Sequence, residues 1–274
     1  MRENGMEYDS DLLTLSVIGY CGTCQLLTSR VGKSTLIDQY INSTSRIDDH
    51  SSIISYSDFN GDVICGDHWL FWGEKWPLRI MEQCEFVDDH LFQPIHSTIS
   101  YIDRCLETKY VVSIPKLRYY CKTQLGVEDS FPKHYLKPGI YPIDVFMCVY
   151  DTTLSQQAAL DQGKFIEQVL YKISRSKLNL PLVLVTSKHD SQPSPIALQL
   201  LSSALKKLKK RWIRTYFSQL EVSSRQHINV DSAFQVAAQL ACAIRRGEKS
   251  DYCGKNISYR KFNSRSETAQ SRYI

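Results

Sequence analysis

The chain lacks any apolar run near the ~20 residues that cross a bilayer as a helix, so a helical membrane span is excluded. It also lacks a strong charge of either sign: 33 Lys and Arg stand against 29 Asp and Glu, a net charge of +4. That balance is too mild to indicate nucleic acid, and no nucleic-acid partner is expected. No internal repeat is present, and the opening MRENGMEYDSD is too acidic and polar for a secretory signal, so a cytoplasmic location is expected. The 9 cysteines are an odd number, mostly standing alone, which reads as reduced thiols rather than a disulfide framework. The sequons at Asn42 and Asn256 then carry no weight. With 43% hydrophobic and 23% charged residues over 274 positions, the chain can bury a full core, and wholesale disorder is excluded.

The apolar pattern alternates between strands and helices. LLTLSVIG, starting at Leu12, reads as a buried strand, and GKSTLIDQYI has helical spacing. Further strands are expected at WLFWGE, RIMEQCEFVDD, IDVFMCVYD, PLVLVTSKHD and SQLEVSS. ALDQGKFIEQVLYKISRS, IALQLLSSALKKLKKRWIRTYF and VDSAFQVAAQLACAIRR read as helices between or after them. This order predicts an α/β fold with a mostly parallel six-stranded sheet flanked by helices. Residues 91–142 exceed the minimal alternation and form an insertion after the strand that ends at Asp88. The spacing there predicts two helices separated at Pro115. Residues 1–248 are expected to form the domain, and residues 249–274 a basic linker.

VGKST, Val31 to Thr35, lies between a buried strand and a helix, which is where phosphate is held. Successive backbone N–H groups of Arg30, Val31, Gly32, Lys33, Ser34 and Thr35 would face phosphate oxygens. The Lys33 ammonium would reach the terminal phosphates and the Ser34 hydroxyl would bind magnesium. The loop departs from the full glycine pattern, with Leu27 at the first glycine position. Asp88 is placed for magnesium at the tip of its strand, with Asp89 as an alternative. Ser187, Lys188 and Asp190 lie in SKHD, a guanine-reading pattern with Ser in first place. The Asp190 carboxylate would accept from the base's N–H donors while the Lys188 stem packs on the ring. Ser223, Ser224 and Arg225 form a loop whose backbone N–H would reach the guanine carbonyl. All four segments fall at the C-terminal ends of expected parallel strands, where open α/β sheets bind ligands. The residues therefore read as a Ras-like P-loop domain for GTP and magnesium.

Two rival readings come from other segments. Cys21 and Cys24 form a CxxC, as in redox or zinc sites, without a second pair to complete four ligands. LKKLKKRWIR, Leu205 to Arg214, is either a solvated helix face or a surface for acidic lipid or RNA.

The segments SYSDFNGDVICGDHWLFWGE, EQCEFVDDHLFQP, KLRYYCKTQLG, IDVFMCVYD, VTSKHD and VSSRQHINVDSAF together resemble the N-terminal GTP-binding domain of the 190-kilodalton RhoGAP family, which carries FF repeats. The resemblance runs from Leu12 to Arg246. The tail YRKFNSRSETAQSRY resembles the start of an FF repeat, implying a piece of a longer protein. By this resemblance Lys33 and Ser34 hold phosphate and magnesium, Ser51 stands where switch loops use Thr, and Asp88 is the magnesium-side carboxylate. It further implies a pseudo-GTPase that holds GTP with little or no hydrolysis, and a Rho-family GTPase partner reached through a C-terminal domain absent here. A protein partner on the insertion is also expected. Leu27 and Arg30 stand where the family has glycines. A slow GTPase switch and a scaffold without nucleotide are the alternative readings.

Overall fold

The computed structural model describes residues 13–21, 31–44, 52–54, 63–72, 74–83, 100–112, 116–119, 128–130, 134–175, 180–208, 210–248 and 250–257. In chain order, β1 (Leu13–Gly19) leads to α1 (Lys33–Thr44), then β2 (Ser52–Ile54), β3 (Val63–Trp72) and β4 (Glu74–Gln83). After α2 (Tyr101–Cys105) come β5 (Lys109–Val112), β6 (Lys116–Tyr119), β7 (His134–Leu136) and β8 (Gly139–Pro142). The second half alternates: β9 (Val145–Asp151), α3 (Gln156–Arg175), β10 (Leu182–Ser187), α4 (Pro195–Lys206), α5 (Lys210–Tyr216), β11 (Phe217–Glu221), α6 (Val230–Arg245) and β12 (Asn256–Ile257).

The main sheet is ten-stranded, in the order β12-β11-β10-β9-β1-β4-β3-β2-β6-β7. From β12 through β4 every neighbouring pair is parallel. From β4 to β7 every pair is antiparallel. The α/β reading with a mostly parallel open sheet therefore holds, with more strands than the six expected. Parallel strands covered on both faces read as nearly continuous apolar runs, and every residue of β1, β9 and β10 is buried. Side chains alternate between the faces. Leu13, Leu15 and Val17 join Leu36, Ile37, Tyr40 and Phe234 under α1 and α6. Ile18, Phe146, Cys148 and Tyr150 join Phe165, Ile166, Val169 and Leu201 under α3 and α4.

The insertion corrects the expectation of two helices. Among the described residues of the stretch read as a helix pair, only α2 is helical; it is capped by the Ser100 hydroxyl, which accepts from the Asp103 N–H. β5 and β8 pair as a separate antiparallel ribbon, while β6 and β7 extend the main sheet beyond β2. The β-branched Val111 and Val112 and the proline at 115 favour extended backbone, and cross-strand pairing decided between two readings that a short apolar run leaves open. The single helix expected from Ile196 to Phe217 is likewise two, α4 and α5, with the break after Lys206. Beyond Arg246 the chain turns back, and the Gln219 N–H donates to the Lys255 carbonyl at 3.0 Å, placing β12 on the sheet edge. No described helix is long and apolar enough to cross a membrane.

Phe234 is fully buried and its ring stacks on Tyr40 at 3.9 Å, joining α6 to α1. Phe234→Ala is expected to cost about 3–5 kcal/mol through lost transfer energy and the cavity left behind. Leu198→Ala, at a side chain 42% exposed on α4, is expected to stay within about 0.5 kcal/mol. Urea unfolding of both variants checks the contrast.

Candidate functional site

The candidate site is assembled at the C-terminal ends of β1, β4, β9, β10 and β11. Gly32 has φ +91°, a left-handed conformation that favours glycine, and its carbonyl accepts from the Leu36 N–H at 2.9 Å as α1 begins. Lys33 follows as the first helical residue and is buried, whereas Ser34 and Thr35 are exposed on the first turn. The Lys33 stem crosses the last residue of β1. A Cβ at Gly19 would lie 2.8 Å from the Val149 carbonyl oxygen, 3.0 Å from Val31 Cγ2 and 3.3 Å from Lys33 Cδ. Glycine is thus required for close packing there, and the Lys33 ammonium reaches the Gly19 carbonyl at 3.3 Å and Cys21 Sγ at 3.1 Å.

The Ser34 hydroxyl donates to Glu82 Oε1 at 2.7 Å. Glu82 is a carboxylate at 3% exposure in β4, brought opposite Val17 by the parallel register. A hydroxyl and a carboxylate converging at a helix N-terminus are hard oxygen donors of the kind magnesium takes together with substrate phosphates. Sequence reading missed Glu82: the signal was an acid inside the run RIMEQCEFVDD, but only the register shows which acid faces α1. Among the described residues no group of three or more His, Cys, Asp or Glu could hold a metal.

The SKHD and SSR segments lie beside the VGKST segment. Ser187 ends β10, and its buried hydroxyl is within bonding distance of the Val31 carbonyl, 3.0 Å, and the Tyr150 carbonyl, 3.3 Å. One hydroxyl thereby ties the SKHD loop to the VGKST segment. Lys188 has φ +61°, and its ammonium pairs with Asp151 Oδ2 at 2.5 Å. Asp151 is fully buried at the end of β9, where its other oxygen accepts from the Thr153 N–H and hydroxyl, both at 2.7 Å. Asp190 Oδ1 accepts from the Ser223 hydroxyl at 2.7 Å, linking the SKHD loop to the SSR loop. Ser223 is buried and bridges to Ile228, Ser224 receives the His227 N–H at 3.3 Å, and Arg225 is exposed.

The structure thus brings Val31, Gly32, Lys33 and Ser34 together with Ser187, Lys188, Asp190 and Ser223 at one end of the sheet. Arg30, Leu27, Ser51, Asp88 and Cys24 lie outside the described residues. Cys21 is described; its thiol is 3.1 Å from the Tyr101 hydroxyl. Tyr101, contributed by the insertion, was not identified as a site residue from sequence.

Over 251 residues, 86% of the chain, the sequence is 33% identical to Rho GTPase-activating protein 190 of Drosophila melanogaster. Over 241 residues, 82% of the chain, it is 32% identical to Rho GTPase-activating protein 35 of Rattus norvegicus. These proteins are homologues of the chain. The chain spans 16% and 15% of their lengths. No family model matches. Among solved structures, a nucleolar GTP-binding protein 1 from Plasmodium falciparum aligns at TM-score 0.42 and 13% identity, covering 96% of this chain and 95% of its own. A variant of SsGBP aligns at TM-score 0.38 and 14% identity, covering 84% and 57%.

His189 sits within the SKHD loop, its Nε2 2.9 Å from the Thr186 hydroxyl oxygen. Because that hydroxyl donates onward to the Leu220 carbonyl at 3.1 Å, His189 must supply the proton as Nε2–H. Burial holds its pKa below the ordinary 6.5, with Glu221 and Asp190 opposing. A lowered histidine pKa favours folding above the unfolded value, and this contribution is lost as pH falls through 6.5 toward the folded pKa. The urea midpoint of the unmutated protein should therefore fall more steeply between about pH 7.5 and pH 5.5 than that of His189→Gln. Parallel pH profiles would remove His189 as a cause.

Proposed function

We propose that this domain binds guanine nucleotide with magnesium, hydrolyses it little or not at all, and serves as a regulatory module of a larger Rho GTPase-activating protein. The observation that carries the reading is the Ser187 hydroxyl on the Val31 carbonyl at 3.0 Å. It supports reading the VGKST and SKHD segments as two walls of one site in a Ras-like P-loop arrangement. The homology to Rho GTPase-activating proteins supports the parent's activity, which would reside in a domain outside this chain and act on a Rho-family GTPase.

In this reading Lys33 carries the charge facing the terminal phosphates, and Arg30, Val31, Gly32, Ser34 and Thr35 offer backbone N–H groups at the α1 N-terminus. Ser34 from the first turn of α1 and Glu82 from β4 would supply magnesium ligands. Ser51 and Asp88 are the ligands assigned from sequence. Bound magnesium would neutralise phosphate charge. Asp190, oriented by Ser223, accepts from the guanine donors; Lys188, held by Asp151, lays its stem along the ring; Ser224 and Arg225 line the carbonyl side.

Lys33→Ala is expected to weaken magnesium-dependent GTP binding by about a hundredfold, the effect of losing charged hydrogen bonds. Asp190→Asn should shift preference from guanine to xanthine, since its amide would offer a donor where the carboxylate accepts. Calorimetry checks both. Equal affinity of the unmutated domain for ATP and GTP would refute the base assignment.

Slow hydrolysis follows from the residues after Asp88. Ras-like proteins place a mobile Gly and a water-orienting Gln there, whereas this chain has Asp89, His90, Leu91 and Phe92. Single-turnover release of labelled phosphate should fall below the roughly 10⁻⁴ per second of unassisted Ras. Release at or above that rate would assign His90 or Gln93 to water positioning and make the domain a working switch. A scaffold without nucleotide is the second reading, favoured by Leu27 and Arg30 in glycine positions. Chromatography of nucleotide released on denaturation separates the two, as only a binding domain can retain GTP or GDP.

A further inference from the structure

The insertion enters the candidate site through one side chain. The β1–β4 ladder ends at Val17 opposite Glu82, while β1 continues beside β9 to Gly19. Past the end of that ladder, the Tyr101 hydroxyl lies 2.8 Å from the Gly19 carbonyl oxygen and 3.2 Å from that of Gln83. It also accepts from Cys21 Sγ at 3.1 Å. A phenol has one proton, and the shorter distance assigns it to Gly19. Burial raises the Tyr101 pKa well above its ordinary value, so that proton stays in place through neutral pH.

The Lys33 ammonium uses the same two groups, the Gly19 carbonyl and Cys21 Sγ. Tyrosine and lysine therefore meet at one polar cluster at the root of the phosphate segment, with the Gly19 carbonyl as the acceptor they share. The tyrosine is anchored from outside that cluster. Its ring stacks on Phe165 of α3 at 5.8 Å, the Arg104 guanidinium lies 5.8 Å over its face, and Asp103 of α2 forms an ion pair with Lys172 of α3. These contacts hold the tyrosine ring and α2 against α3, so the position of the hydroxyl at Gly19 is tied to the seating of α2.

We propose that Tyr101 is a positioning residue for the phosphate segment and that through it the insertion and bound nucleotide are coupled; this rests on the nucleotide reading above. By donating to the Gly19 carbonyl, Tyr101 lessens that oxygen's hold on Lys33, whose ammonium can then turn toward phosphate. In return, a phosphate that draws Lys33 away leaves Gly19 more dependent on Tyr101, which tightens α2 onto the core. Coupling of this kind is reciprocal in binding free energy.

The test compares the full chain with its Tyr101→Phe variant. GTP affinity is measured by calorimetry with magnesium, and amide exchange of residues 101–105 is measured with and without GTP. Tyr101→Phe should weaken GTP binding by about fivefold, the worth of one net hydrogen bond. Preference for GTP over ATP should stay unchanged because the variant leaves Asp190 and Ser223 untouched. In the unmutated protein GTP should slow exchange in α2, and in the variant it should not. Equal affinity, or α2 exchange insensitive to GTP in the unmutated protein, overturns the coupling and leaves the nucleotide reading standing. No GTP binding by the unmutated protein overturns both. If Tyr101→Phe does not fold, exchange in the unmutated protein decides alone.

Discussion

Gly19 is the point on which the site depends, because three parts of the molecule meet there at distances that admit no side chain. The Val149 carbonyl oxygen of β9 would stand 2.8 Å from a Cβ, Val31 packs from the VGKST segment, and the Lys33 stem crosses above. The approach is close because β1 is paired on both sides by parallel strands whose apolar faces are each covered by helices. Once the strand is held in this way, the chain leaving it meets the start of α1, and an ammonium at the first helical position is drawn back over the strand end. The Gly19 carbonyl then serves both Lys33 and Tyr101.

The other half of the site is held by buried polar groups paired across elements. Asp151, with no exposure, is tied to Lys188 and to the turn at Thr153, while Gln162 of α3 bonds the Asp151 backbone N–H and carbonyl at 2.8 and 2.9 Å. Such groups are costly to bury unless satisfied, so together they specify one arrangement of the strand ends. Ser187 and Ser223 act at lower electrostatic cost as neutral hydroxyls, one reaching Val31 and the other Asp190. The thiols beneath this end of the sheet remain protonated: burial pushes Cys148 up to about 12 and raises Cys105 strongly. They pack as small apolar groups rather than as nucleophiles.

Much of this architecture was legible before any coordinate. Continuous apolar runs such as VFMCVYD and LVLVTS report strands buried on both faces, and the 3.6-residue spacing of ALDQGKFIEQVLYKISRS reports a helix with one face on the core. Both patterns depend only on which side of an element meets water. The insertion was misread for the same reason: runs as short as KYVV and KLRY carry too few residues to separate a helical period from a strand period, and their pairing partners are distant in sequence.

The sequence by itself determined the alternation of strands and helices, the Gly-Lys-Ser start of α1 and the placement of SKHD, through Asp190, at the end of a buried strand, because local geometry and residue chemistry suffice for each. Tertiary structure alone decided that Glu82 meets Ser34, that Asp151 meets Lys188, and that Tyr101 reaches Gly19. Each of those contacts joins separate elements. Which acid or phenol arrives is set by strand register and by the docking of α2 on α3, and neither leaves a periodic trace in the chain.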